Sequence, residues 1–254
     1  MQKPQSSEIG TLLLEIGALL MSSGANTNRI RLTMQRIGKS YNFKTDFLIT
    51  HRAIILTLKD SDGNVSFNEL KQTYNHIPNF KIVSGLSKLS WQIVEEKLSV
   101  KKAKEEVKRL KSLPHYPRFI VLSVVAFACS AFCRLNDGNF IEMLFVFIAA
   151  FLGLFLKQEL AKKKVNPYVN IFIASFFSAT IAGSLGLLLP YKHDNILFIT
   201  SILYLIPGIQ LINSISDILD GNTINGMVRA FIGVVVSFAI STGLLLAILI
   251  FNTN

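Results

Sequence analysis

The sequence predicts an α-helical integral membrane domain of five transmembrane helices, preceded by an N-terminal cytosolic α+β domain. Of the 254 residues, 50% are hydrophobic and 17% are charged, with a mean hydropathy of +0.44. These values exclude disordered, collagen-like and coiled-coil classes. The charge is unevenly distributed, because 19 basic and 10 acidic residues occur up to Arg118, and only 7 and 6 after it. A soluble basic domain at 1–116 joined to a membrane domain at 117–254 explains both observations.

The predicted cytosolic domain begins with two helices. Apolar residues at helical spacing predict a first helix over 8–22, which Gly24 ends. Asn26 or Thr27 can cap a second helix that runs to Tyr41. Both helices carry one apolar face, so both are expected to pack on a common core.

Strands and two further helices complete this domain. The apolar period changes to two over 43–49, and a short β-like run follows over 53–58. The turn sequence at 60–63 ends in Asp-Gly, which between apolar runs is typical of a hairpin. Helical patterning returns over 84–112 in two pieces, with Ser99 as the expected cap between them.

Five apolar stretches follow Pro117. Each is long enough, or nearly so, to cross ~30 Å of hydrocarbon, which takes roughly 20 helical residues. Small residues spaced by four on the third stretch allow close helix packing, either within this chain or against a second subunit. The predicted spans are 119–133, 140–156, 168–190, 196–216 and 227–251.

Basic residues in short loops predict the orientation of these spans. They cluster before the first span and after the second, whereas the loops after the first and third spans are poor in them. The N-terminal domain is therefore expected inside the cell and, after five crossings, Asn254 outside. The bases assigned to the inner side are Lys101, Lys102, Lys104, Lys108, Arg109, Lys111, Arg118, Lys157, Lys162, Lys163 and Lys164.

The fourth span contains the most informative pattern. Pro207 removes a backbone donor and Gly208 adds flexibility within an apolar run, so the helix is expected to kink or break there. The polar residues that follow are spaced to share one helical face. A polar face beside a broken helix is the arrangement in which transporters bind a substrate or a coupling ion. These residues are Gln210, Asn213, Ser214 and Asp217.

Charged residues complete the predicted substrate or ion path. Arg229 in the next span is a candidate partner for Asp217 or Asp220. Amides that open the half-helix near Ile209 are expected to stabilise a carboxylate, together with Asn213. Asp217 would repel such an anion, so it is assigned to proton or cation coupling, or to pairing with Arg229. The alternative is an ordinary proline kink with Asp217 at the inner membrane surface.

Motifs of other function classes do not occur in the sequence. The histidines form no HExxH, and there is no GxSxG, P-loop or GxGxxG, so we predict no catalytic residue, metal site or cofactor. The basic excess lacks zinc-ligand spacing, an RNP-type aromatic run and an arginine-rich arm, which argues against nucleic acid as a partner. Cys129 and Cys133 share one helix face and are poorly placed to bridge each other.

Several longer motifs resemble the threonine/serine exporter family. The resemblance covers nearly the whole chain and is carried by LLLEIGALLMSSGANTNRIRLTMQRIG, HYPRF, CSAFCRLNDGNF, NPYVN and LIPGIQLINSISDILDGNTINGMVRA. One departure is Arg31, where many relatives have an acidic residue, and it puts a charge-pairing role of the second helix in doubt. The family residues carried over by position are Pro207, Gly208, Asn213, Asp217, Arg229, Gly24, Asn28 and Arg29.

The resemblance implies a subunit of a secondary exporter in the bacterial inner membrane. Single-chain members of the family have a further set of helices, so it implies a separate small four-helix membrane subunit, similar to YjjB, as the partner of this chain. The implied substrates are small carboxylates such as succinate, or threonine and serine, and homo-oligomers are compatible with the small-residue faces. The alternatives are a membrane-anchored sensory or scaffold protein, and a hydrolase that uses the cytosolic domain.

Overall fold

The computed structural model describes residues 6–73, 78–113, 116–189 and 194–252. The predicted end of the third span at Pro190 and the C-terminal Asn254 lie outside these ranges, as do His76, His115 and His193. The described chain folds into two compact units. Unit one holds the residues up to 114 together with Ile209–Ala230, and unit two holds the residues from 115 to 208 and from 231 onward.

The N-terminal part of unit one has the predicted α+β character. A three-stranded antiparallel sheet has the order β1-β2-β3 and pairs Lys44 with Lys59 at one end. Helix α1 lies in the core, since Leu12, Leu13 and Ile16 have no exposed surface. The elements are α1 (Ser6–Ser22), α2 (Thr27–Ser40), β1 (Lys44–Ile49), β2 (Ala53–Lys59), β3 (Val65–Gln72), α3 (Phe80–Glu95) and α4 (Val100–Lys111).

Helix caps in unit one follow the residues that the sequence singled out. The Asn26 side chain accepts the backbone N–H of Arg29 at the start of α2, and Ser99 accepts that of Lys102 at the start of α4. Gly24, in the loop between α1 and α2, has a φ of +90°, a conformation that favours glycine.

Four helices among the described residues are long and apolar enough to cross a membrane: α5 (Arg118–Leu135), α6 (Phe140–Lys162), α7 (Pro167–Gly186) and α10 (Thr223–Asn252). The predicted count of five spans is therefore not confirmed. The predicted fourth span, 196–216, is divided into α8 (Asp194–Ser201), a 3-10 turn (Leu203–Leu205) and α9 (Gly208–Leu219). Ile206 takes an extended conformation, with φ −58° and ψ 127°, because a residue before proline is disfavoured in a helix.

Helix α6 is longer than predicted. It continues to Lys162, so Lys157 and Lys162 lie in a helix and not in the loop to which they were assigned. The reason is composition, since the segment after Leu156 consists of Lys, Gln, Glu, Leu and Ala, which are all good helix formers.

The small-residue face of α7 packs within unit two. The Ser175 hydroxyl donates to the carbonyl of Ile240 at 2.8 Å. A Cβ added to Gly183 would lie 2.7 Å from the rings of Phe198 and Phe251. Of the two uses predicted for this face, these contacts favour packing inside the chain over contact with a second subunit.

Candidate functional site

Asp217 is a carboxylate of α9 with no exposed surface. Its Oδ1 accepts the backbone N–H of Thr27 at 2.8 Å, and its Oδ2 accepts the Thr27 hydroxyl at 3.0 Å. Arg229 Nε lies 3.1 Å from Oδ2, and the Arg229 side chain is 12% exposed. Within the described part of the chain Arg229 Nε makes no hydrogen bond. The contact with Asp217 is therefore an ion pair in which the N–H does not point at the carboxylate. The pairing of Asp217 with Arg229 is one of the two roles expected from the sequence.

The partner of Asp217 explains why a charge is tolerated there. Thr27 is the first residue of α2, and the first amides of a helix have no partner inside the helix. The helix dipole places partial positive charge at the same end, which stabilises an anion. Asp217 therefore binds the start of α2 from a distance of 190 residues in sequence.

The loop between α1 and α2 makes further hydrogen bonds to α9 and to the start of α10. The carbonyl of Gly24 accepts the Asn213 side-chain amide at 2.8 Å, and that of Ala25 accepts an Arg229 guanidinium N–H at 3.2 Å. The Asn26 side-chain amide donates to the hydroxyl of Ser216 at 2.9 Å. We call this set the Asp217 cluster: Gly24, Ala25, Asn26, Thr27, Asn213, Ser216, Asp217, Asn225 and Arg229.

Asn225 connects the cluster to the sheet. Its side-chain amide donates to the Thr27 hydroxyl at 3.2 Å and to the carbonyl of Ile49, the last residue of β1, at 2.8 Å. Helices α9 and α10 also approach each other closely, because the Ser214 hydroxyl donates to the carbonyl of Gly226 at 2.8 Å. A Cβ on Gly226 would lie 2.8 Å from the carbonyl oxygen of Ser214, so a larger residue would force these helices apart.

Some residues predicted for the site lie apart from the cluster. Gln210 is half-buried and makes no side-chain hydrogen bond within the described residues, and Asp220 is exposed.

The Asn28 side chain accepts a hydrogen bond from Arg31 at 2.8 Å. Arg29 is exposed and contributes only its backbone N–H, to the Asn26 cap. Pro207 and Gly208 stand at the helix break, before the residues of α9 that belong to the cluster.

A second polar group, in unit two, was not predicted. The Tyr204 hydroxyl lies 2.8 Å from that of Ser178, and Lys157 Nζ lies 6.0 Å from the centroid of the Tyr204 ring. The Asn170 side-chain amide donates to the carbonyl of Lys157 at 3.0 Å. The usable sequence signal was the spacing of Gly153 and Lys157, one helical turn apart at the end of an apolar run. No group of three or more metal-ligating side chains occurs among the described residues.

Comparison with known proteins places this chain among membrane transporters. The family model described as "Putative threonine/serine exporter" matches residues 11–251. The "Probable succinate transporter subunit YjjP" of Escherichia coli (strain K12) is 26% identical over 255 residues, covering 99% of this chain and 98% of that protein. The protein of the same name from Klebsiella aerogenes is 26% identical over 248 residues, covering 96% and 95%.

One eukaryotic relative is much longer than this chain. "Pheromone-regulated membrane protein 10" of Kluyveromyces lactis is 24% identical over 251 residues, which cover 94% of this chain and 26% of that protein. No solved structure matches the chain.

Proposed function

Because the chain belongs to the threonine/serine exporter family, we propose that it is the larger subunit of a secondary exporter for small carboxylates such as succinate, or for threonine and serine. Two relatives of nearly equal length are named as probable succinate transporter subunits, which supports this substrate class and a partner subunit. The proposed partner is a small four-helix membrane protein similar to YjjB. The proposed location is the bacterial inner membrane.

The observation that carries the proposal is the interruption between α8 and α9. Irregular backbone is tolerated inside a membrane only where it is buried in protein or lines a water-filled cavity. In transporters such broken helices form the binding site, because a half-helix opens with free amides that stabilise an anion. Helix α9 begins at Gly208, directly after Pro207, so its first amides are the proposed donors to a substrate carboxylate.

The Asp217 cluster is the proposed link between the cytosolic domain and this half-helix. Asn213 is bound by the α1–α2 loop and Asp217 by the first residue of α2, so in this state neither side chain is free for substrate or for a coupling ion. A movement of α9 during export would break these hydrogen bonds. When they form again, α9 would be back in the position described here. A coupling role of Asp217 in another state stays a prediction.

The contacts of unit one also support five crossings and the proposed orientation. Asn225 and Arg229, near the start of α10, bind residues of the N-terminal domain. If that domain is cytosolic, a helix that begins there and is long enough to cross the membrane ends outside. The chain then also has to return inward between α7 and α10, and among the described residues the interrupted segment 194–219 connects these two helices. A reporter active only outside the cytosol should work after Asn254 and fail at Lys163, and the reverse result would contradict the orientation.

Flux through reconstituted vesicles tests the proposed function. The chain is purified alone and together with the neighbouring small subunit, and vesicles are loaded with labelled succinate or labelled threonine. We expect saturable efflux of at least one of them, only with both subunits, and vesicles with the small subunit alone are the control. Absence of efflux for both substrates would overturn the proposal.

A proline variant tests the role of the break. Pro207→Ala restores a backbone donor and removes the constraint on Ile206, so the helix should become more continuous and efflux slower. The matched control is Pro167→Ala at the first position of α7, where proline is favoured and no break is involved. Equal efflux by the two variants and the wild type would show that the break is not part of the path.

A further inference from the structure

Lys157 lies on a face of α6 that packs inside unit two. Gly153 is one turn earlier on the same face, and a Cβ added there would lie 2.5 Å from the Tyr204 hydroxyl oxygen. Helix α6 therefore presents this face to the 3-10 turn (Leu203–Leu205) and to Ser178 of α7. Lys157 is half-buried, and its Nζ is 6.0 Å from the centroid of the Tyr204 ring.

The ammonium group of Lys157 has no counter-charge within the described residues. Nearby cations are different, since Arg118 and Lys162 both form ion pairs with Glu159. No described carboxylate lies within 4.0 Å of Lys157 Nζ, and Nζ donates no hydrogen bond within the same residues. A charge inside a membrane segment is costly, so it is retained mainly where it pairs or binds something that is transported.

The neighbours of Lys157 offer unused hydrogen-bonding capacity. Tyr204 and Ser178 share a single hydrogen bond, at 2.8 Å, so one of their two hydroxyl hydrogens has no acceptor in the described part of the chain. Buried polar atoms normally have hydrogen-bond partners, so this unused hydroxyl hydrogen calls for an explanation such as a ligand.

We propose that Lys157 and the hydroxyl pair of Tyr204 and Ser178 bind the carboxylate of the exported molecule. This inference rests on the proposed function and assigns a further carboxylate-binding position within unit two, besides the first amides of α9. The ammonium neutralises the carboxylate and a hydroxyl donates to one of its oxygens, and no described carboxylate lies within 4.0 Å of Nζ to compete with the ligand. Succinate, threonine and serine all carry such a carboxylate.

The first test removes the charge. Lys157→Met keeps most of the side-chain length, and we expect the KM for efflux to rise on the order of tenfold to a hundredfold, the loss typical of one charge-assisted hydrogen bond. Lys157→Arg should retain part of the activity. The matched control is Lys163→Met, an exposed cation just beyond the same helix. Unchanged KM and maximal rate in Lys157→Met, with normal protein level and normal copurification of the small subunit, would overturn the inference.

The second test restores the charge chemically and separates a binding role from a structural one. In a background with Cys129→Ala and Cys133→Ala, Lys157→Cys is treated with aminoethyl methanethiosulfonate or with the neutral methyl reagent. We expect the cationic reagent alone to restore efflux, and we expect substrate to slow its reaction. Rescue by both reagents, or no protection by succinate or threonine, would overturn the inference.

The two substrates also separate the ligand classes. Protection by either compound would support the carboxylate contact, which the two compounds share, and protection by only one of them would identify the compound that binds at this position. If the wild type itself transports neither compound, the proposed function fails, and that result differs from a loss seen only in the Lys157 variants.

Discussion

Asp217 in unit one and Lys157 in unit two are both ionisable residues in helices rich in apolar side chains, and their surroundings differ. Asp217 has no exposed surface and receives two hydrogen bonds from Thr27 and the charge of Arg229. Lys157 is half-buried and faces an aromatic ring, with no described carboxylate within reach. Removing one partner of a buried ion pair is costly, because the remaining charge is left without compensation. A charge without a partner inside the protein can instead bind an oppositely charged ligand.

The difference between Asp217 and Lys157 predicts that variants at the first residue affect mainly stability and variants at the second mainly transport. Changes at Asp217 should mainly alter the free energy of unfolding, because the cluster joins the α1–α2 loop to α9 and α10. Changes at the Lys157 group, which consists of Lys157, Tyr204 and Ser178, should mainly alter transport, because few bonds inside the protein depend on it. The following variants test this separation, beginning with the largest expected effect on stability.

Asp217→Ala should destabilise the protein by about 3–5 kcal/mol, because it leaves Arg229 and the Thr27 amide without their partner in a buried place. Chemical or thermal unfolding of the purified protein in detergent, followed by circular dichroism, measures the loss. Asp220→Ala is the matched control, since Asp220 is exposed and lies outside the cluster. Equal stability of the two variants would contradict the role given to Asp217.

A double variant sharpens the same test. Arg229→Met combined with Asp217→Ala removes both charges, so the pair should cost less than the sum of the two single variants. A coupling of about 0.5–3 kcal/mol is expected for residues in direct contact. Strict additivity would show that the ion pair at 3.1 Å contributes nothing.

The local features of unit one could be predicted from the sequence. The Asn26 and Ser99 caps follow from side-chain chemistry that acts within three residues. The break before α9 follows from Pro207, because proline acts on its own backbone and on that of Ile206. These predictions succeeded because the residues that decide the structure are neighbours in the chain.

The contacts between distant segments could not be predicted in this way. The sequence indicated a pairing of Asp217 with Arg229, but not the bond to Thr27, since nothing in the spacing of residues shows that α9 meets a loop 190 residues away. Lys157 was assigned to a loop because the apolar run ends at Leu156, whereas α6 continues to Lys162. Hydropathy marks where lipid contact ends, but helix propensity and packing decide where the helix ends.

Gly153→Ala tests the packing around the Lys157 group and should cost about 1–3 kcal/mol, as overpacking does. The new Cβ would overlap the Ser178 hydroxyl and lie 2.5 Å from that of Tyr204, so it would also displace the hydroxyl pair and reduce efflux. The control for the unfolding measurement is Gly208→Ala, where no described atom beyond the neighbouring backbone lies within 4 Å of the added Cβ. Efflux of Gly153→Ala is compared with that of the wild type, and normal unfolding together with normal efflux would show that this face is looser than described.

Thr27→Val isolates the hydroxyl contribution to the Asp217 cluster. The shape of the side chain is kept and the backbone N–H still reaches Asp217, while the hydrogen bonds to Asp217 Oδ2 and from Asn225 are lost. The expected loss of stability is about 1–3 kcal/mol, because a buried charged acceptor loses one donor. Thr11→Val, on the exposed surface of α1, serves as the control in the same unfolding measurement. If the loss of stability is no larger than that of the control, the backbone N–H of Thr27 alone accounts for the stabilising contact with Asp217.

Tyr204→Phe should have the smallest effect on stability and still reduce transport. It removes one hydroxyl of a single shared hydrogen bond, which contributes about 0.5–1.5 kcal/mol, and Ser178 can then bond to a carbonyl of its own helix. If the free hydroxyl hydrogen of the pair donates to the substrate carboxylate, KM should nevertheless rise several-fold, on the order of the same 0.5–1.5 kcal/mol expressed as affinity. Tyr168→Phe, near the start of α7 and 40% exposed, controls for the loss of a tyrosine hydroxyl. The distinction between the two regions would be wrong if Tyr204→Phe lowered stability as much as Thr27→Val and left KM unchanged. The hydroxyl pair would then be a structural contact of the same kind as the Asp217 cluster.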